Sequence, residues 1–227
     1  MSVKRTGSSS LRIEGLYGVL DPSVVTLDAK DPEEALEIAV SEALAGGCRI
    51  IQYRDKHASP RKAFSRARRL AGICGKAGAL FIVNDRLDVA LMAGAGGCHL
   101  GQDDLPIPEA RRLTPPGFLL GTSTHNVVEA RQAEQDGADY IGVGAIFRTT
   151  TKDDALEPGG PKLVAEVARS VSLPAIAISG ITRENVREVI RAGASGFAVI
   201  SDLFGGPEIR ERAREFLRIW EEEKNLR

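Results

Sequence analysis

Gln52, Arg54 and Lys56 are the residues of this 227-residue chain that are best suited to bind a polyanion. They follow residues 48–51, a short apolar run that ends in two β-branched residues and so resembles a β-strand. Alternate residues of an extended chain point to the same side, so an amide, a guanidinium and an ammonium group are presented together. Guanidinium and ammonium groups form charge-assisted hydrogen bonds with phosphate oxygens. The stretch therefore predicts a site for an anion such as a diphosphate.

Two groups of acidic residues follow later apolar runs. Asp85 comes after residues 80–83, and Asp103 and Asp104 come shortly after residues 97–100. If these runs are adjacent parallel strands, Asp85 and one of the other two acids lie a few ångströms apart. Such a pair suits a hard cation that is held beside substrate phosphates. The same acids could instead cap the helices that follow them, and the sequence leaves both roles open.

Further polar or small residues stand where other apolar runs end. The stretch at residues 149–152 (TTTK) offers hydroxyls and an ammonium group, although an ordinary exposed loop would have the same composition. Gly180 and Ser201 follow the seventh and eighth runs, which is where TIM barrels place a phosphate. Three histidines, His57, His99 and His125, are ambiguous, and His125 suits either proton donation or helix capping.

The elements that must position these residues repeat one pattern along the chain. Short apolar runs begin near residues 16, 48, 80, 97, 118, 140, 174 and 196, and amphipathic helical patterns lie between them, for example at 32–45, 61–76, 127–136 and 184–192. Strands that alternate with helices and are apolar on both faces are typical of a parallel sheet. Eight such units predict an α/β fold, a single-domain TIM (β/α)8 barrel. A doubly wound open sheet is the rival, but the first run lacks a glycine-rich dinucleotide turn.

Composition limits the classes of partner. The 30 basic and 31 acidic residues nearly balance, so we expect no nucleic-acid or membrane partner, and no apolar run approaches the ~20 residues of a membrane span. Three cysteines without close spacing argue against zinc and disulfides and predict a cytoplasmic location. Residues 1–14 are predicted to be a flexible tail and 15–227 the catalytic domain. The sequence does not decide whether the chain forms a homo-oligomer.

Taken together, these motifs resemble those of the thiamine phosphate synthase family, over about residues 16–214. The resemblance rests on six motifs in the same order, at residues 51–56 (IQYRDK), 82–88 (IVNDRLD), 99–104 (HLGQDD), 123–125 (STH), 137–144 (GADYIGVG) and 149–152 (TTTK). It implies a transferase that joins a hydroxymethylpyrimidine diphosphate to a thiazole phosphate, with one magnesium ion per subunit and small phosphorylated molecules as partners.

The resemblance also implies roles for individual residues. Catalysis would fall to Arg54, Lys56, Ser123 and Lys152. The pyrimidine diphosphate would be bound by Gln52, Tyr53, Arg54, Asp55, Lys56, Asn84, Ser123 and Lys152. The thiazole phosphate would be bound by Thr149, Thr150, Thr151, Gly180, Ile200 and Ser201. The metal would be held by Asp85 and Asp104. Within the set that would bind the pyrimidine diphosphate, strand alternation points Tyr53 and Asp55 away from Gln52, Arg54 and Lys56. We therefore expect Tyr53 and Asp55 to serve in packing or helix capping.

The chain departs from the family pattern at two positions, and other functions on the same fold need consideration. Arg148 stands where the family usually has proline, and Ser179 where glycine is usual. The related thiazole tautomerase would use His125 as a proton shuttle and would not need the diphosphate cradle. A sugar-phosphate isomerase or epimerase would use Asp85 and Asp104 as acid and base. A catalytically silent phosphate-binding barrel would have lost part of this set of residues.

Overall fold

The computed structural model describes residues 13–149 and 157–226. In them, eight parallel strands close into a barrel whose strand order is the order of the chain, and strand β1 pairs with strand β8. The predicted TIM barrel is confirmed. The strands are β1 Gly15–Leu20, β2 Ile50–Tyr53, β3 Leu80–Asn84, β4 Gly97–Leu100, β5 Leu119–Thr124, β6 Tyr140–Val143, β7 Ala175–Ala177 and β8 Gly196–Val199.

The helices lie outside the barrel and follow the predicted pattern closely. They are α1 Pro32–Ala45, α2 Pro60–Lys76, α3 Leu87–Ala93, α4 Ile107–Leu113, α5 Val127–Gln135, α6 Gly160–Ser170, α7 Val186–Arg191, α8 Ser201–Phe204 and α9 Ile209–Lys224. Helix α1 illustrates how the sequence fixes a boundary. Asp31 Oδ1 accepts hydrogen bonds from the backbone N–H groups of Glu33 and Glu34, and Pro32 occupies the first turn, where no intrahelical donor is needed.

The prediction for the amino-terminal tail needs adjustment at one residue, and one short helix was not predicted. Ile13, placed in the predicted tail, is buried among the side chains of the barrel interior, so the folded part begins before residue 15. Residues 1–12 lie outside the described part of the chain. Helix α8 was not predicted, because four residues are too few to show a helical period. In the last helix, α9, the side chains of Phe216 and Trp220 are buried against Phe197.

The core has two layers because successive strand residues point to opposite faces of the barrel. The outer layer fills the space between strands and helices and holds most of the buried apolar residues. The inner layer includes Ile50, Leu80, Ile82 and Ile176, with the rings of Tyr17 and Tyr140 among them. Among the described residues, no helix is long and apolar enough to span a bilayer.

The inner layer depends on a close approach between Gly121 and Tyr140, which are register partners on β5 and β6. A Cβ atom at residue 121 would lie 2.1 Å from the Tyr140 Cζ atom, so the ring must move if Gly121 is replaced. We expect Gly121→Ala to lower the free energy of unfolding by about 1–3 kcal/mol, the usual cost of overpacking. Urea denaturation followed by circular dichroism measures this change.

Gly72→Ala is the matched control for this substitution. Gly72 lies within α2, and nothing lies within 4 Å of a Cβ added there. Alanine should raise helix stability by roughly 0.5–1 kcal/mol, because it restricts the unfolded chain. Unchanged stability in Gly121→Ala would contradict the account of tight inner packing.

Candidate functional site

A cavity of about 600 Å³ opens at the carboxyl end of the barrel strands. This is the end at which TIM barrels carry their active sites. Its wall contains side chains from all eight strands or the loops that follow them. Eight of the predicted site residues line it, namely Gln52, Arg54, Asn84, Ser123, Thr149, Gly180, Ile200 and Ser201. The structure therefore brings together residues that are separated by up to about 150 positions in the sequence.

The predicted anion cradle consists of Gln52, Arg54 and Lys56, which lie at successive depths between the cavity floor and its rim. Gln52 is buried in the barrel interior and donates a hydrogen bond from Nε2 to the Tyr17 hydroxyl at 2.7 Å. Arg54 lines the wall, where its Nη1 atom lies 2.5 Å from Asp21 Oδ2. Lys56 is half-exposed at the rim, outside the cavity lining. Gln52 lies on β2, whereas Arg54 and Lys56 follow the end of that strand, and the three groups run from the floor of the cavity to its rim.

Tyr53 and Asp55 point away from the cavity. The Tyr53 hydroxyl donates to Asp55 Oδ2 at 3.0 Å, and the same oxygen accepts from Arg66 Nη1 on α2 at 2.6 Å. Asp55 Oδ1 also accepts from the backbone N–H groups of His57 and Ala58, which shapes the loop before α2. The assignment of Tyr53 and Asp55 as substrate-binding side chains therefore needs correction, because both side chains are committed to the outer layer.

Asp85 and Asp104 lie close together at the rim. Asp85 directly follows β3 with a φ of +60°, a conformation uncommon for residues other than glycine, and its Oδ2 atom is 2.6 Å from Lys56 Nζ. Asp104 Oδ2 accepts a hydrogen bond from the backbone N–H of Gly101 at 2.6 Å. Burial raises the pKa of Asp104, and the neighbouring Asp85 raises that pKa further, although the Gly101 N–H and Lys56 oppose the shift.

Two mutually repelling carboxylates of this kind fit a hard divalent cation. Magnesium is held in proteins by one or two carboxylates, with water and substrate phosphates completing its coordination. In the described part of the chain, Asp85 and Asp104 have no further histidine, cysteine or acid that would complete a cluster of three or more metal ligands. The pair suits a metal that shares its coordination with a phosphorylated substrate better than one held in a closed protein cage.

The opposite side of the cavity is formed by the loops after β7 and β8. Gly180 has a φ of +67°, and a Cβ atom there would lie 2.5 Å from the carbonyl oxygen of Arg148, so glycine is required. Ser201 is the first residue of α8. Arg183 joins the two loops, since its backbone N–H donates to Asp202 Oδ2 at 2.7 Å and its Nη2 atom donates to Oδ1 at 3.0 Å.

The two departures from the family pattern both lie at this part of the cavity. Ser179 has a φ of +75°, a region that glycine enters without strain, so the glycine usual in the family matches the backbone better. Arg148 has an exposed side chain and lines the cavity mouth. Three further predicted residues, Thr150, Thr151 and Lys152, lie outside the described part of the chain.

Three residues that contact the predicted ones were given no site role from the sequence, although His99 was named there as ambiguous. His99 is buried between the Tyr140 hydroxyl and the Ser123 hydroxyl, at 3.2 Å from Nδ1 and 3.0 Å from Nε2. Tyr17 contacts Gln52, as described above. Strand alternation could have identified His99 and Tyr17 as inward-facing residues, but their partners lie on other strands. Asp21, which holds Arg54, directly follows β1 and was not among the predicted site residues.

His125 does not face the cavity. Its ring Nδ1 atom and its backbone N–H both contact Glu129 Oε2 at 2.8 Å, one turn into α5. Asn126, and not His125, caps α5 with its side chain, and the His125 ring is held by Glu129 away from the cavity lining, so the proton-shuttle role that the tautomerase reading requires has no geometric support. His57 is exposed in the loop after β2 and is absent from the cavity lining.

The closed barrel, with a cavity at the carboxyl ends of its strands, has the architecture of a TIM-barrel enzyme. A family model described as thiamine monophosphate synthase matches residues 23–203, which is most of the chain. The chain belongs to this family, whose synthases are transferases.

Individual relatives agree with this assignment. The thiamine-phosphate synthase of Shouchella clausii is 45% identical over 193 residues, covering 85% of this chain and 90% of that one. The thiamine-phosphate synthase of Methanoculleus marisnigri is 51% identical over 172 residues, covering 76% and 82%. The structure of thiamine phosphate pyrophosphorylase from Pyrococcus furiosus is 36% identical, has a TM-score of 0.80, and covers 92% of this chain and 96% of its own.

Proposed function

We propose that this chain joins 4-amino-2-methyl-5-hydroxymethylpyrimidine diphosphate to a thiazole phosphate and releases thiamine monophosphate and diphosphate. Family membership supports the reaction, and one contact supports its location. Lys56 Nζ lies 2.6 Å from Asp85 Oδ2, so the cation cradle and the acid pair meet at one rim of the cavity. A leaving diphosphate placed there could be reached by cations on both sides.

The pyrimidine diphosphate is assigned to the β2 side of the cavity. Arg54 and Lys56 face the departing diphosphate, and their charge stabilises the negative charge that develops as the carbon–oxygen bond breaks. Arg54 is already oriented by Asp21, which reduces the cost of ordering its side chain when substrate binds. The amides of Gln52 and Asn84 and the hydroxyl of Ser123 complete this half of the site, and Lys152 is proposed as a further cation.

We assign one magnesium ion per subunit to Asp85 and Asp104. When bound, magnesium would neutralise part of the diphosphate charge and so make diphosphate a better leaving group. Lys56 forms an ion pair with Asp85 and so offsets part of the negative charge of that carboxylate. The closeness of the two carboxylates supports this assignment, because burial and the neighbouring Asp85 raise the pKa of Asp104, and a divalent cation would offset the repulsion between the two charges.

The thiazole phosphate is assigned to the opposite side of the cavity. Gly180, Ile200 and Ser201 offer backbone N–H groups and a hydroxyl near the start of α8. Thr149 lines the adjoining wall, and we propose Thr150 and Thr151 as further contacts. Anchoring the thiazole through its phosphate would hold the ring nitrogen close to the pyrimidine, which replaces a bimolecular encounter with an oriented one.

The proposed reaction needs no nucleophile from the protein. The bond between the pyrimidine methylene carbon and the diphosphate oxygen breaks, and its electron pair leaves with diphosphate. The aminopyrimidine delocalises the positive charge left on the methylene carbon, and the thiazole nitrogen then donates its lone pair to that carbon. The three cysteines do not compete for this role, because Cys48, Cys74 and Cys98 are buried and free.

We also propose a cytoplasmic location with small phosphorylated molecules as partners. Three unpaired, buried cysteines agree with a reducing compartment. The near balance of 30 basic and 31 acidic residues supports neither a nucleic-acid nor a membrane partner. Assembly into a homo-oligomer stays an open expectation.

Arg54→Ala tests the position of the diphosphate. Removing the guanidinium takes away one preorganised cation from the leaving group, and we expect turnover to fall by roughly a hundredfold or more. The measurement is the rate of diphosphate release with both substrates and magnesium present. Circular dichroism should show an intact fold, because Arg54 lines the cavity wall and belongs to neither core cluster.

Arg69→Ala is the matched control for Arg54. Arg69 is also an arginine paired with one acid, but it pairs with Glu37 on the outer surface of the helix layer and is largely exposed. Such pairs contribute little, so turnover and stability should stay near those of the unsubstituted protein. Near-normal turnover of Arg54→Ala would show that the cradle has been placed wrongly.

Asp85→Asn tests the metal assignment. Replacing the carboxylate removes one of two oxygen ligands that carry charge, so the magnesium concentration that gives half-maximal turnover should rise about tenfold or more. Asp88→Asn, three residues further on, is the control because Asp88 is exposed and pairs with Arg86. A magnesium titration of Asp85→Asn that matches the control would indicate that Asp85 acts only in shaping the loop.

A further inference from the structure

Five polar side chains form a continuous hydrogen-bonded chain across the floor of the cavity, which we call the floor relay. Gln52 Nε2 lies 2.7 Å from the Tyr17 hydroxyl, which lies 2.9 Å from the Tyr140 hydroxyl. The Tyr140 hydroxyl lies 3.2 Å from His99 Nδ1, and His99 Nε2 lies 3.0 Å from the Ser123 hydroxyl. The relay links β2 to β5 through β1, β6 and β4, and its two ends are residues assigned to the pyrimidine side of the cavity.

Two glycines make room for the relay. The space beside Gly121 is filled by the Tyr140 ring, and a Cβ atom at Gly142 would lie 3.3 Å from His99 Cε1. The rings of Tyr17 and Tyr140 are 6.1 Å apart between centroids, and those of His99 and Tyr140 are 5.5 Å apart. Tyr17 and Tyr140 are about 2% exposed or less and His99 is 8% exposed. The relay is therefore packed in place and not formed by mobile surface groups.

The direction of the hydrogen bonds follows from the end at Gln52. An amide NH₂ group can only donate, so the Tyr17 oxygen accepts from Gln52. Tyr17 has one proton and donates it to the Tyr140 oxygen. Tyr140 in turn donates its single proton to His99 Nδ1, which must then be the acceptor nitrogen. A neutral histidine with an acceptor at Nδ1 carries its proton on Nε2 and donates it to the Ser123 oxygen.

Tyr17 and Tyr140 must each keep their hydroxyl proton for this assignment of donors and acceptors. Burial raises the pKa of Tyr17 and of Tyr140 well above the usual range, so neither ionises near neutral pH. A doubly protonated His99 would also donate to the Tyr140 oxygen. It would then leave a buried Tyr140 proton without the acceptor that the relay provides, which is costly in the barrel interior. The neutral form satisfies each relay group.

We infer that the floor relay holds His99 as the neutral Nε2–H tautomer and thereby leaves the Ser123 hydroxyl proton free to donate into the cavity. Tyr17, Tyr140 and His99 are positioning residues in this account, because they act through Ser123. Its use in recognition rests on the proposed function: a ring nitrogen of the aminopyrimidine accepts the Ser123 proton. Gln52 Oε1 is left as an acceptor at the other end of the relay.

The opposite direction is the physical alternative, and it predicts the opposite tautomer. If the Gln52 amide presented its oxygen to Tyr17, each donor and acceptor in the relay would exchange roles. His99 would then carry its proton on Nδ1, and the Ser123 proton would be used up on Nε2. The tautomer of His99 therefore reports the direction of the whole relay, and it can be measured without substrate.

The test is nitrogen NMR of the full-length protein labelled with ¹⁵N-histidine at neutral pH. The His57→Gln and His125→Gln variants assign the His99 signals by elimination, since the chain has three histidines. We expect a pyrrole-like signal for His99 Nε2 and a pyridine-like signal for Nδ1. The reverse assignment, or a doubly protonated ring, would overturn the inference. This result does not depend on turnover, so it is decided even if the proposed synthase activity is absent.

Tyr140→Phe tests whether the relay sets the tautomer. Phenylalanine keeps the ring but removes the hydroxyl that donates to Nδ1, so His99 should become a mixture of tautomers. Tyr53→Phe is the matched control, because it removes a buried hydroxyl from the outer face of β2. The His99 tautomer should not change in Tyr53→Phe. A Tyr140→Phe spectrum in which His99 keeps a single tautomer would contradict the role given to Tyr140.

A kinetic measurement on Tyr140→Phe separates positioning from general stability. We expect kcat/KM for the pyrimidine diphosphate to fall about tenfold, the equivalent of one lost hydrogen bond to the reacting complex. The KM for the thiazole phosphate should stay within about twofold, since its phosphate is assigned to the far side of the cavity. Equal losses for both substrates would contradict a specific role at the pyrimidine.

Discussion

Closure of eight parallel strands into a ring is the constraint on which the rest of this structure depends. Closure brings every strand's carboxyl end to one rim, so that residues from distant parts of the chain face a single cavity. It also gives each strand an inner and an outer face. On β2 this division sends Gln52 and Arg54 inward, while it commits Tyr53 and Asp55 to the helix layer. Residues that line the cavity and residues that pack against the helices therefore alternate along this stretch.

The second physical feature of the site is the pairing of its basic side chains with acidic ones. The barrel gathers Arg54 and Lys56 near Asp85 and Asp104, and in the structure each of the two cations already pairs with an acid. These pairs hold long side chains in place before an anion arrives. A bound diphosphate with a divalent cation would give Arg54 and Lys56 phosphate partners and would give Asp85 and Asp104 a metal partner, while Asp21 keeps its contact with Arg54. The floor relay adds a neutral, fully satisfied network beneath the charged rim.

Much of the fold and part of the site could be predicted from the sequence. The alternating periods of strands and helices were enough to predict the barrel, and the helical pattern predicted at 32–45 matches α1 at both ends. The side chains that cross the barrel could not be predicted, because Tyr140 contacts Tyr17 over 123 positions and sequence spacing carries no such information. Asp21 was missed for the same reason. The roles of Thr150, Thr151 and Lys152 stay predictions, since these residues lie outside the described part of the chain.

The central claim is that the cavity joins two phosphorylated precursors with the help of a divalent cation. The most direct measurement incubates the full-length protein with the pyrimidine diphosphate and the thiazole phosphate, with and without magnesium. Diphosphate and thiamine monophosphate are then followed together. The account predicts that both products appear in equal amounts and that their formation requires magnesium. An absence of product in the presence of magnesium would contradict it.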